Sequence, residues 1–113
     1  MSQITTHILD TARGCPAPGV RVVLSHANDN GFIEIGEDVT DQNGQATALL
    51  DEGQALDAGV YQVRFEVSGY FRNRGHNHFY PYVDVVFNVE GDSRPHHIPL
   101  LLSPYGYSTY LGS

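Results

Sequence analysis

The side chains of this sequence able to move a proton near neutral pH are its histidines, among them His7 and His97. Histidine titrates close to neutrality, so it can take a proton from water or return one to a leaving atom. His7 stands in the run Ile4-Thr5-Thr6-His7-Ile8-Leu9-Asp10, and His97 opens His97-Ile98-Pro99-Leu100-Leu101-Leu102. Read alone, a histidine between Thr6 and Ile8 is more often a half-buried sheet residue than a catalytic one. His96 and His97 are neighbours on one expected strand, so their side chains point to opposite faces and only one can face a site. His76 and His78 flank Asn77 and on a strand would share a face, as a metal pair does. Metal sites usually draw further ligands from separate elements. No cysteine cluster or well-placed carboxylate accompanies this pair, so it reads as a surface loop, with no metal. The single cysteine, Cys15, cannot make an internal disulfide and lies in the turn-like Gly14-Cys15-Pro16-Ala17-Pro18-Gly19, away from the histidines.

The elements that must position these histidines are short strands. Ile4–Asp10 is β-branched and stops at Arg13-Gly14, and Val20–Ser25 follows the Pro/Gly turn. Phe32–Thr40 alternates around Gly36, and Asp41-Gln42-Asn43-Gly44 carries Asn-Gly, a strong hairpin signal because both residues accept positive φ. Gln45–Leu50 reads as the next strand. In Gly59–Val67 the side chains of Tyr61, Val63, Phe65 and Val67 fall on one side, which predicts one buried face. Ser68–His76 has no period of two and holds one or two helical turns. Pro81–Val89, His97–Leu102 and Tyr105–Tyr110 complete the strands, with Pro81 at a strand start where a missing N–H is tolerated. Many short strands, frequent turns and almost no helix predict an antiparallel β-sandwich. The tyrosines Tyr105, Tyr107 and Tyr110 suit a sheet or subunit interface.

Composition bounds the partners. A length of 113 residues predicts one domain over 1–113, with one modest core. The net charge of −7 argues against nucleic acid, and the six basic residues, all arginine, form no stripe. No apolar run is long enough to span a membrane. The first residues lack the basic flank and apolar stretch of a secretory signal, and Tyr110-Leu111-Gly112-Ser113 is not a peroxisomal tripeptide. A cytoplasmic protein is expected.

Three segments carry more than composition does: Ile4-Thr5-Thr6-His7-Ile8-Leu9-Asp10, then Thr40-Asp41-Gln42-Asn43-Gly44-Gln45, then the whole stretch from His97 to Ser113, with its Ser103-Pro104-Tyr105-Gly106-Tyr107-Ser108-Thr109-Tyr110. Together they resemble the transthyretin-like family, in its 5-hydroxyisourate hydrolase branch, and the resemblance covers essentially the whole chain. It implies a two-sheet transthyretin-like sandwich with one short helix, and a homotetramer with sites between dimers. It also implies a cofactor-free hydrolysis of a purine-derived ring amide. The family's site gathers two histidines, two arginines and the C-terminal tetrapeptide. Its histidines correspond to His7 and His97, which leaves His96 as a solvated outward residue. Its substrate-binding positions correspond to Gln45, Tyr110, Leu111, Gly112 and Ser113.

Both family arginines are replaced, by Gln45 and Leu111. An arginine fork suits a carbonyl-rich or anionic edge. Leucine in that place leaves a polar edge unpaired, at a cost of about 1–3 kcal/mol, and suits an edge that carries carbon. The resemblance therefore points to 5-hydroxyisourate or, favoured by the two replacements, an N-methylated analogue. The trimethyl compound expected from caffeine oxidation is an example. The alternative is a family member that has lost catalysis and binds a small molecule. A third class, a purely structural tetramer, has no reason to keep both histidines.

Overall fold

The computed structural model describes residues 2–112. Nine strands and one helix follow in the order β1 (Ile4–Asp10), β2 (Cys15–Pro16), β3 (Arg21–Asn28), β4 (Gly31–Val39), β5 (Gln45–Ala46), β6 (Gly59–Glu66), α1 (Val67–Asn73), β7 (Val83–Val89), β8 (His96–Ser103) and β9 (Gly106–Thr109). One sheet has the order β2-β1-β8-β9, with β5 also paired to β1, and the other has the order β4-β3-β6-β7. The two-sheet sandwich with one short helix is thus the fold that the strand pattern and the resemblance imply. One central pair, β1 with β8, is parallel along its whole length, from Ile4↔His96 to Asp10↔Leu102. A parallel pair needs a long connection, and here the entire second sheet lies between the two strands in sequence.

Period-two burial builds the core. Ile4 and Ile8 of β1 and Leu100 and Leu102 of β8 turn inward, to meet Val22 and Leu24 of β3 and Val63 and Phe65 of β6, all fully buried. The other side of β1, with Thr5, His7 and Leu9, is only half-buried and forms the outer face of the first sheet. The helix buries Val67, Tyr70 and Phe71, spaced to share one face. Its Tyr70 hydroxyl donates to Asp10 Oδ2 at 2.7 Å. The other oxygen of Asp10 accepts the Ala12 and Arg13 amides, both at 3.1 Å. This buried carboxylate ties the end of β1 to the helix.

Several expectations change. Cys15-Pro16 is a strand and not a turn, because it pairs with Leu9 and Asp10 on the free side of β1. The strand expected over Gln45–Leu50 ends at Ala46, after which Leu49 and Leu50 dive into the core. Gly36 permits this: a Cβ there would lie 1.9 Å from the Leu49 carbonyl oxygen. The Asn43-Gly44 turn does not join neighbouring strands into a hairpin. It carries the chain from β4 in one sheet to β5 in the other, where β5 pairs with β1. The strand expected from Pro81 starts at Val83, the partner of Phe65, because β6 gives way to the helix beyond Glu66. His96 is 5 % exposed and faces inward, not outward. Its Nδ1 hydrogen-bonds with the Arg94 carbonyl at 2.9 Å, and its ring lies near Phe87.

Candidate functional site: a histidine pair on the outer face of a sheet

The parallel register sets Thr5 beside His97 and His7 beside Pro99. His7 and His97 are therefore diagonal neighbours on one face, with ring centroids 6.4 Å apart and planes tilted by 37°. On the other side of β1, Gln45 is directly opposite His7 in an antiparallel pair, an arrangement that puts both side chains on the same face. The turn before Gln45 makes this possible. Asp41 Oδ1 accepts the amides of Asn43 and Gln45, and Gly44 adopts a φ of 75°. A side chain at Gly44 would collide with the Ile8 carbonyl oxygen at 2.5 Å, so only glycine lets β5 approach β1 this closely.

His97 is held from two directions. Its Nδ1 shares a 2.8 Å hydrogen bond with Thr5 Oγ1, which leaves Nε2 as its outward nitrogen. Its carbonyl accepts the Gly112 amide at 2.8 Å, so the C-terminal segment crosses over it. A Cβ at Gly112 would stand 2.9 Å from His97 Cδ2; glycine is needed for the crossing. Burial, and secondarily the neighbouring charge of His7, hold the His97 pKa below the ordinary imidazole value. Both effects disfavour the cation, so His97 is an imidazole base at neutral pH.

A cleft of about 860 Å³ opens beside the pair, lined by His97, Thr5, Leu111 and Gly112, and by Gln3, Gln54 and Arg94. Leu111 is 64 % exposed and lines one wall. Tyr110 is not part of this cleft. It faces a smaller cavity of about 200 Å³ with Val85, Phe87 and Ile98, which Leu111 also lines. Ser113 lies outside the described residues. The cleft thus gathers His97, Leu111 and Gly112, while His7 and Gln45 sit next to His97 on the same sheet face without lining it, and Tyr110 is turned away from it. His76 and His78 stay apart from it: His78 Nε2 hydrogen-bonds with Ser68 at 2.9 Å and its ring stacks on Phe71.

Thr5 was visible in the sequence, two residues before His7 and so on its face, but nothing there signalled that it would meet His97. Arg94 and Gln54 had no signal at all, since both come from loops.

A transthyretin-type sandwich with a paired-histidine site on the outer face of one sheet defines the class. The chain belongs to the HIUase/Transthyretin family, whose model matches residues 4–112. It is 44% identical over 110 residues to a 5-hydroxyisourate hydrolase of Salmonella dublin, over 97% of this chain and 80% of that protein. It is 41% identical over 114 residues to the 5-hydroxyisourate hydrolase of Mus musculus, over 99% of this chain and 96% of that one. Among solved structures, it is similar to the 5-hydroxyisourate hydrolase of Klebsiella pneumoniae, with a TM-score of 0.82 and 34% identity over 97% of this chain and 98% of that chain. It is also similar to sea bream transthyretin in complex with thyroxine, with a TM-score of 0.90 and 34% identity over 98% and 95%.

Proposed function

We propose that the chain, as one hydrolase domain, opens the ring amide of a 5-hydroxyisourate-type substrate in purine or methylxanthine breakdown. We further propose that it prefers an N-methylated form such as 1,3,7-trimethyl-5-hydroxyisourate. The observation that carries the reading is the pair His7 and His97 on one face, 6.4 Å apart, in a member of this family. With Nδ1–H donating to Thr5, His97 Nε2 is free to take a proton from water. The water oxygen adds to the ring carbonyl, and the carbonyl oxygen gathers negative charge. The C–N bond then breaks as the proton taken by His97 is passed by way of His7 to the departing nitrogen, and the new acid ionises to a carboxylate, releasing its proton to solvent. The scheme calls for no cofactor. Gln45 contacts a carbonyl, while Leu111 and Gly112 wall the substrate and Leu111 packs on an N-methyl group. Tyr110 and Ser113 are proposed substrate contacts through the resemblance alone. The reading includes a homotetramer in the cytoplasm, and no helix among the described residues is long and apolar enough to cross a membrane.

A second reading, a binding protein without catalysis, has its own support. Both positions where the family carries arginine are neutral here, and the fold is similar to a transthyretin with a bound ligand. A stopped-flow ultraviolet assay on freshly generated 5-hydroxyisourate and its trimethyl analogue separates the two. The expected result is hydrolysis of both, with a preference of roughly 10- to 100-fold for the methylated compound. The double substitution Gln45→Arg and Leu111→Arg shifts preference back toward the plain compound. Wild-type activity on plain 5-hydroxyisourate equal to or above that on the analogue overturns the specificity. No acceleration of either overturns the enzyme. His97→Asn should lower turnover roughly 100-fold or more without unfolding the chain.

A further inference from the structure

Ring opening builds negative charge on the attacked carbonyl and ends in a carboxylate, whatever the ring nitrogens carry. Methyl groups on the substrate explain neutral residues at positions 45 and 111. They do not remove the need for donors aimed at the developing anion, among which a charged donor is the strongest. The chain has six arginines, and five are already engaged. Arg21 pairs with Glu37 and Glu66. Arg64 forks onto Asp84 at 2.7 and 2.8 Å and lies over Tyr82. Arg72 bonds Ser68 at 3.0 Å, Arg74 lies over Tyr70, and Arg13 is held near Tyr70 and Asp10 at the far end of β1. The sixth, Arg94, has no ion pair and no side-chain hydrogen bond from its guanidinium among the described residues, and it lines the same cleft as His97 and Leu111.

The backbone of Arg94 is anchored, while among the described residues its guanidinium has no hydrogen-bond or ion-pair partner. Ser93 before it holds a φ of 64°, the one positive φ of a non-glycine among the described residues. The Arg94 amide donates to Asp92 Oδ1 at 3.1 Å. Its carbonyl accepts both Gln3 Nε2 at 3.1 Å and His96 Nδ1 at 2.9 Å. Gln3 in turn accepts the Leu56 amide at 2.8 Å, so one side chain bridges the two loops that flank the cleft. Strain at a non-glycine residue persists only where the surroundings enforce it. Here they hold the root of an uncommitted cation at the mouth of the cleft, beside the strand that bears His97.

We infer that Arg94 is the cation that binds the oxyanion and the product carboxylate in this cleft, supplying from the loop before β8 the charge that Gln45 and Leu111 lack. The inference rests on the hydrolase reading above. A guanidinium fork matches a carboxylate or a tetrahedral oxyanion with two parallel hydrogen bonds. It does so equally for plain and methylated rings, because it meets the reacting carbonyl and not the ring nitrogens. Arg94 thus acts on rate, while Leu111 acts on choice of substrate.

The test compares the wild type with Arg94→Gln, Arg94→Lys and the control Arg72→Gln, which removes the same charge from the helix. Stopped-flow turnover is read together with equilibrium binding of urate, a planar anionic analogue that cannot be hydrolysed here. Arg94→Gln is expected to lower kcat by about 10- to 100-fold on both the plain and the trimethyl substrate with Tm unchanged. It should also weaken urate binding at least tenfold and flatten its salt dependence. Arg94→Lys should recover part of each loss, and Arg72→Gln should stay within twofold of the wild type. If Arg94→Gln keeps kcat and urate affinity within twofold while His97→Asn is inactive, the role of Arg94 is overturned and the hydrolase reading stands. If the wild type accelerates neither substrate, the hydrolase reading falls. Urate binding then decides Arg94 alone: loss in Arg94→Gln supports an anion site, and unchanged binding overturns it.

Discussion

His97 sits where three constraints meet: a hydroxyl at Nδ1, a backbone strand across its carbonyl, and a second imidazole on the adjacent strand. Burial first, and the charge of His7 second, lower its pKa. The folded protein therefore prefers neutral His97, and the unfolded chain binds the extra proton. That contribution to stability is fully present above the ordinary value of about 6.5 and is lost as pH falls from there through the lowered folded-state pKa. In an NMR titration the His97 ring should respond below the ordinary value. His7→Gln should move its midpoint upward without restoring it fully, because burial remains. A wild-type midpoint at or above the ordinary value would remove His97 as the neutral base.

At the scale of elements, the site depends on how closely β5 approaches β1. Gly44 combines a φ of 75° with a Cβ position 2.5 Å from the Ile8 carbonyl, whereas Gly53 has a φ of 83° in open space. The two separate backbone strain from collision. Gly53→Ala should cost about 1 kcal/mol, the penalty of the left-handed backbone. Gly44→Ala carries that penalty and the collision, and should cost about 2 kcal/mol or more. Urea unfolding of both variants checks the order. Equal losses would mean that β5 can back away from β1 freely, and Gln45 would then have no fixed place beside His7.

At the scale of the molecule, each sheet ends in an edge strand on the same side, β7 and β9, and their side chains share the small apolar cavity that holds Tyr110. Unpaired edges invite pairing with another chain. The outer face nearby shows Leu111 at 64 % and Tyr110 at 58 % exposure. Edge pairing and burial of that outer face would be two separate contacts, as the proposed homotetramer requires. Light scattering at micromolar concentration should return a tetramer, and a stable monomer would overturn the assembly. Tyr110, turned away from the histidines within one chain, suits a contact between chains.

Much of this architecture was legible in the chain itself. Alternation is a local property, so Tyr61, Val63, Phe65 and Val67 announced their buried face, and Ile4–Asp10 announced a strand with its true ends. The histidine pair was legible through resemblance, since nothing local distinguishes His7 from a structural strand residue. What the chain could not disclose was pairing. Whether Asn43-Gly44 closes a hairpin or crosses between sheets depends on a partner 38 residues away, Gln45 against His7. Whether His96 or His97 faces inward depends on which side of β8 meets the core. The meeting of Thr5 with His97, and the arrival of Arg94 in their cleft, follow from a parallel register between opposite ends of the chain. Local periodicity settles which residues share a face; only the tertiary structure decides which faces meet, because that depends on contacts between residues distant in sequence.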